Sequence, residues 1–128
     1  MILYLDTSTY TCKLFFTDGD WRYDDEWEAN RELAKGLLGY LRDQLEKNGK
    51  SWNDISGIVA YQGPGSFTGL RIGLTVLNTF AEAQGVPIVG TTGDDWQTLG
   101  RQRIDAGEND KIVLPEYGAE AHITQPRK

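Results

Sequence analysis

Gly63-Pro64-Gly65-Ser66-Phe67-Thr68-Gly69-Leu70-Arg71-Ile72-Gly73 lies between an apolar run, Gly57-Ile58-Val59-Ala60-Tyr61, and a helix-forming segment that reaches about Gln84. Proline fixes φ and glycine opens conformations closed to other residues, so Gly-Pro-Gly predicts a tight strand-to-helix turn. Ser66 then stands where an N-cap belongs, beside backbone N–H groups that can face an anion. Gly69 and Gly73, four apart, share a helical face that a second helix can approach closely. Leu70, Leu74, Leu77 and Ala81 form one apolar stripe of this helix; Ile72, Val76 and Phe80 form another. One stripe serves a helix lying on its own sheet. Two predict a cover on the outer side: the helix over 30–47 with Gly36 and Gly39, a partner's helices, or both together.

Outward from this run, the chain reads as one small α/β domain. Ile2 to Asp6 is a strand, and Thr7-Ser8-Thr9 a polar turn. Thr11 to Thr17 is a second strand, Asp18-Gly19 a hairpin signal, and Trp21 to Trp27 an acidic edge strand. Asn30 is placed to cap a helix ending at Lys47, with Leu33, Leu37, Leu38, Leu41 and Leu45 at helical spacing and Asn48-Gly49 as its stop. A strand at about 55–62, the glycine turn, the second helix and a strand at 86–90 follow. A further helix is expected over 94–103. The domain is set at 1–104, with 105–128 as linker and C-terminal extension: Asp105 to Lys111 polar, Ile112 to Pro115 extended, the rest too polar to fold alone. Three hairpin-linked strands followed by strand–helix–strand predict a mixed five-stranded sheet with packed helices. This is the order of a ribonuclease H-like, actin-like half-domain.

Composition narrows the function. The 128 residues are 39% hydrophobic and 25% charged, as in ordinary globular proteins, and no apolar run approaches a membrane span. The N-terminus reaches Asp6 without a basic region, unlike a signal peptide, and the single Cys12 reads as a buried hydrophobe; together these point to the cytoplasm. A net charge of −6 argues against a surface built to bind nucleic acid directly.

The catalytic candidates fall one by one. Asp6 ends the first strand, where nucleases and ATPases of this architecture place a metal-binding carboxylate, but the fourth strand ends in Tyr61-Gln62 and supplies no second one. Capping of the Thr7-Ser8-Thr9 turn is the plainer role for Asp6. Actin-like phosphotransferases close two half-domains over a nucleotide, and one is present. His122, the sole histidine, lies in the polar tail, which leaves metallohydrolase chemistry without ligands and Ser66 without a base. Neither a catalytic residue nor a metal ligand is assigned. The glycine run is not a Walker A sequence, since no Gly-Lys-Ser/Thr follows. A second reading keeps Asp6, Thr7, Ser8, Gly63, Gly65 and Ser66 as an anion or nucleotide loop of a weak ATPase.

Met1 to Ser8, Gly63 to Gly73, and Gly85-Val86-Pro87-Ile88-Val89-Gly90 together resemble the TsaB (YeaZ) family, in its order and spacing over about residues 1–100. The resemblance implies an accessory, non-catalytic subunit for making N6-threonylcarbamoyladenosine at position 37 of tRNAs that read ANN codons. It implies pairing with the transferase TsaD through helices at about 30–47 and 66–84. The ATPase TsaE joins that assembly, and ATP and a divalent metal belong to partner subunits. On this reading the partner-binding residues are Leu33, Gly36, Leu37, Tyr40, Leu41, Gly69, Ile72, Gly73, Val76 and Phe80; without TsaD the same surface can form a homodimer. Family members carry a second half-domain that is essentially absent here. Leu114 to Tyr117 and Ile123-Thr124-x-Pro126 weakly resemble the family's C-terminal end, which is read as a naturally short form.

Overall fold

A computed structural model describes residues 1–116. Five strands form one sheet in the order β3-β2-β1-β4-β5. β1 (Ile2–Asp6), β2 (Thr11–Asp18) and β3 (Trp21–Glu28) make an antiparallel meander. β4 (Gly57–Tyr61) and β5 (Ile88–Thr91) extend it in parallel from β1. The two-residue loop Gly19–Asp20 joins β2 to β3, with Gly19 at φ 61 in the left-handed region.

Side chains alternate across a strand, so each strand of the sheet's centre feeds two cores. Leu3, Leu5, Leu14, Phe16, Ile58, Ala60 and Ile88 face α1 (Leu33–Lys47) and α2 (Phe67–Gln84). Ile2, Tyr4, Val59 and Val89 face Trp96, the first residue of α3 (Trp96–Asp105), on the other side. Gly100 lets α3 lie close, since a methyl there would strike Val59.

Three expectations are corrected. Asn30 does not cap α1: it sits at φ 50 inside a short 3-10 turn, Asn30–Glu32, and the helix proper starts at Leu33. The helix expected over 94–103 begins and ends two residues later. The polar stretch after it is not a free linker. Residues 106–116 fold back as a strap: Asn78 of α2 donates from Nδ2 to Val113 O (2.9 Å) and accepts from Val113 N–H at Oδ1 (2.8 Å). Gln62 holds the next residues with side chain and backbone, donating from Nε2 to Leu114 O (2.9 Å) and accepting from Glu116 N–H at its backbone carbonyl (2.7 Å). Val113 is buried beneath them. The amide side chain of Asn78 thus pairs with the strap as another strand's backbone would, a role that polarity alone does not announce.

Candidate functional site

The loop after β1 and the turn after β4 meet at the C-terminal ends of their parallel strands. Asp6 Oδ1 accepts the Ser8 N–H (2.8 Å), so the carboxylate is committed to its own turn. Ser8 O accepts the Ser66 N–H (2.7 Å), and Gly65 lies so close to Ser8 that a Cβ would collide with it. Ser66 Oγ caps α2 by accepting the Gly69 N–H (3.1 Å). Thr7 Oγ1 donates to Gly69 O (2.8 Å). The Gly63–Pro64 peptide is cis, and Glu116 O of the strap fills the space a side chain at Gly63 would need.

Five of the six residues of the expected anion loop, Asp6, Thr7, Ser8, Gly65 and Ser66, therefore gather around the turn, bonded or packed against one another and Gly69, while Gly63 packs against Glu116 of the strap. The amides of Ser8 and Ser66 and the hydroxyls of Thr7 and Ser66 that would hold a phosphate are spent on joining β1, α2 and the glycine turn. Among the described residues, no group of three or more His, Cys, Asp or Glu could hold a metal ion. His122 and the family-like tail beyond Glu116 lie outside those residues. The buried Cys12 thiol is pushed up to about 12 by burial and by the carboxylates of Asp6 and Asp25, and so stays protonated.

The helix-face reading is also corrected. Gly69 and Gly73 are not a notch for a second helix. A Cβ on Gly69 would strike Thr7 O, and one on Gly73 would strike the Thr7 side chain, so the end of β1 already occupies that face. Gly36 is occupied from within too, since the Trp27 ring lies 2.7 Å from where its Cβ would be. Tyr40 stacks on the same Trp27 (centroids 5.0 Å apart) and donates to Asp25 Oδ2 (2.6 Å); burial and that bond raise its pKa. Leu33, Leu37 and Leu41 are buried in the chain's own core. Six of the ten expected partner residues thus close the fold itself, and Tyr40 largely does.

What remains is the seam between the two helices. Ile72, Val76 and Phe80 are half-buried, on the flank of α2 turned toward α1, with Phe80 tilted against Trp52 at 5.2 Å. At 100° per residue, Leu38 is turned well away from Gly36 and β3, toward α2, and it is 56% exposed. At the helix N-termini a cleft of about 270 Å³ opens between Tyr10, Leu33, Ser66, Thr68 and Ile72. Leu38 belonged to the leucine series in the sequence, but only the direction of the β3 contact shows that it points outward. Tyr10, 66% exposed, carried no sequence signal as a surface aromatic.

Sheet order, helix placement and the strand-end loops define a ribonuclease H-like half-domain of the actin-like class. The family model described as "TsaD: tRNA N6-adenosine threonylcarbamoyltransferase" matches residues 27–93, from the end of β3 past β5 and just over half the chain. The chain is 34% identical to the tRNA threonylcarbamoyladenosine biosynthesis protein TsaB of Escherichia coli over 92 residues, covering 71% of this chain and 39% of that protein. It is 51% identical to TsaB of Bacillus subtilis over 90 residues, covering 68% and 38%. The structure of YeaZ from Pseudomonas aeruginosa superposes with a TM-score of 0.68 at 28% identity, covering 83% of this chain and 49% of that one. The chain belongs to the TsaB (YeaZ) family. It spans about two fifths of the length of these curated relatives.

Proposed function

We propose that this chain is a non-catalytic scaffold subunit that pairs with a TsaD-like transferase and supports N6-threonylcarbamoyladenosine formation at position 37 of tRNAs reading ANN codons. The observation that carries the proposal is the α1–α2 seam. Two adjacent helices on one sheet face leave Leu38, Ile72 and Val76 partly uncovered, and the stretch matching the transferase family contains both helices. A partner with an equivalent helix pair would bury this seam in a four-helix arrangement, each Å² of apolar surface contributing roughly 25 cal/mol. The contact set is therefore centred on Leu38, Ile72, Val76 and Phe80.

ATP, a divalent metal and the chemistry belong on partner subunits in this reading, with a TsaE-like ATPase joining the assembly, and the work is cytoplasmic. Among the described residues no helix is long and apolar enough to cross a membrane. Net charge −6 leaves tRNA contact to the partners. Without the transferase, two copies can pair through the same seam.

The test is Leu38→Glu, titrated against the TsaD-like subunit of the same organism. An exposed position changes monomer stability by about 0.5 kcal/mol or less. Affinity should fall about tenfold or more, equivalent to about 1.4 kcal/mol. Unchanged affinity with a folded variant would remove the seam from the proposal.

A further inference from the structure

β5 ends the sheet, and only one of its edges pairs with β4. Ile58 N–H donates to Pro87 O (3.0 Å) and Gln62 N–H to Thr91 O (2.8 Å), so Pro87, Val89 and Thr91 address β4. Ile88 and Gly90 therefore send their backbone groups outward. All four of those groups are satisfied, and none by a strand. Ile88 N–H donates to Asn109 Oδ1 (3.1 Å), and Ile88 O accepts from Asp110 N–H (2.8 Å). Gly90 N–H donates to Asp110 Oδ2 (2.9 Å), and Gly90 O accepts from Arg103 Nη1 (3.0 Å). Arg103 also pairs with Asp110 and, through Nε, with Glu108 (2.7 Å). Gly90 has no side chain to obstruct this, and Val113 and Gln62 occupy the space a Cβ would need.

Left open, such an edge is self-complementary. About a two-fold axis at Val89, Ile88 of one copy and Gly90 of another would exchange N–H and C=O in a hydrogen-bonded antiparallel pair, and the converse pair would follow by symmetry. Unpaired edges of this kind template association.

We propose that Arg103, Asn109 and Asp110 form a polar lock on the β5 edge, and that what the lock excludes is β5 of a second copy of this chain. The lock is made of side chains and one strap amide, so it opens without unfolding the sheet. The charged groups around the Asp110 carboxylate are Arg103 from α3, Glu108 bound to Arg103, and Lys111 next in the strap. Burial alone would raise that carboxyl, but the bonds from Arg103 and the Gly90 N–H outweigh it and hold the group below its usual range.

Residue-resolved amide exchange on the full chain tests this, using Asn109→Ala/Asp110→Ala at low micromolar and at millimolar concentration. The expected result is exchange at Ile88 and Gly90 about tenfold or more faster than in the parent at low concentration. Protection should return at high concentration as sedimentation detects a dimer. Unchanged exchange at low concentration overturns the proposal, and so does fast exchange that concentration does not slow. A dimer formed at the α1–α2 seam leaves these two amides insensitive to concentration, which keeps the two surfaces distinguishable. Should the double variant fail to fold, Asn109→Ala alone spares the ion pair. It should speed Ile88 while leaving Gly90 protected; an equal effect on both, or none on either, overturns the lock.

Discussion

At Gly73 a single hydrogen atom stands between α2 and the Thr7 side chain. The sequence shows that something passes close to that face, but a glycine does not say which part of the molecule does so. Gly73→Leu is therefore unsuited to probing a partner interface, because it would push β1 and α2 apart within the monomer. Even Gly73→Ala should cost about 1–3 kcal/mol as overpacking, read from denaturant midpoints. Thr7→Ala, which removes the colliding Oγ1 and Cγ2, should restore part of that loss in the double variant. Additive losses would show that the two residues do not share the strain. Cys12 makes a second residue-level prediction. Its raised pKa contributes stability that is present below the ordinary thiol value of 9.0 and is lost as pH rises toward about 12. At neutral pH an aromatic disulfide reagent should leave the folded protein unmodified and react once denaturant is added.

Among the elements, α1 owes its position to β3. Trp27 seats Gly36 and Tyr40, Tyr40 bonds Asp25, and Tyr23 donates to Gln44 (2.5 Å), so the inward side of the acidic edge strand grips one flank of the helix. Trp27→Ala should destabilise the fold by about 3 kcal/mol, at the low end for tryptophan because the residue is only partly buried. It should also weaken partner binding by letting α1 shift. The strand and helix order was legible because period-2 and period-3.6 patterns, Asp18-Gly19 and Ser66 each have a local cause. The start of α1 was not, since Asn30 fits both a cap and a left-handed turn, and the Tyr10 carbonyl, which accepts from Ala29 and Asn30, selects the turn. Ser66→Ala should cost about 1 kcal/mol, the usual loss of an N-cap, in thermal unfolding.

For the molecule as a whole, the strap changes what counts as the domain. Asp105 to Lys111 is polar in sequence, and nothing in its composition distinguishes a solvated linker from one whose polar groups stand in for a strand. The recognisable family blocks pointed to the strand-end loops and the two helices. They could not separate residues that build the half-domain from residues left for the proposed partner, because both are small or apolar. With the loop amides of Ser8 and Ser66 already bonded, calorimetric titration with ATP and magnesium should give no heat. A saturable signal would revive the nucleotide-binding reading. Acid should open the strap ahead of the sheet. The depressed Asp110 carboxyl contributes stability above the ordinary aspartate range, and that contribution disappears as pH falls through its lower folded value. Exchange at Gly90 should therefore accelerate there before exchange at Val59 does.

The glycine run leads to a conclusion about ancestry. Gly65, Gly69 and Gly73 meet Ser8 and Thr7, and Gly63 meets Glu116, so each is required by the chain's own interior. A saturation library scored only for folded abundance should reject substitutions at Gly65, Gly69 and Gly73, even in cells that survive without the modified tRNA. A descendant that had lost its transferase would keep the same signature for as long as it folded. The run therefore records where a protein came from, and whether the proposed partnership persists has to be read from the seam around Leu38.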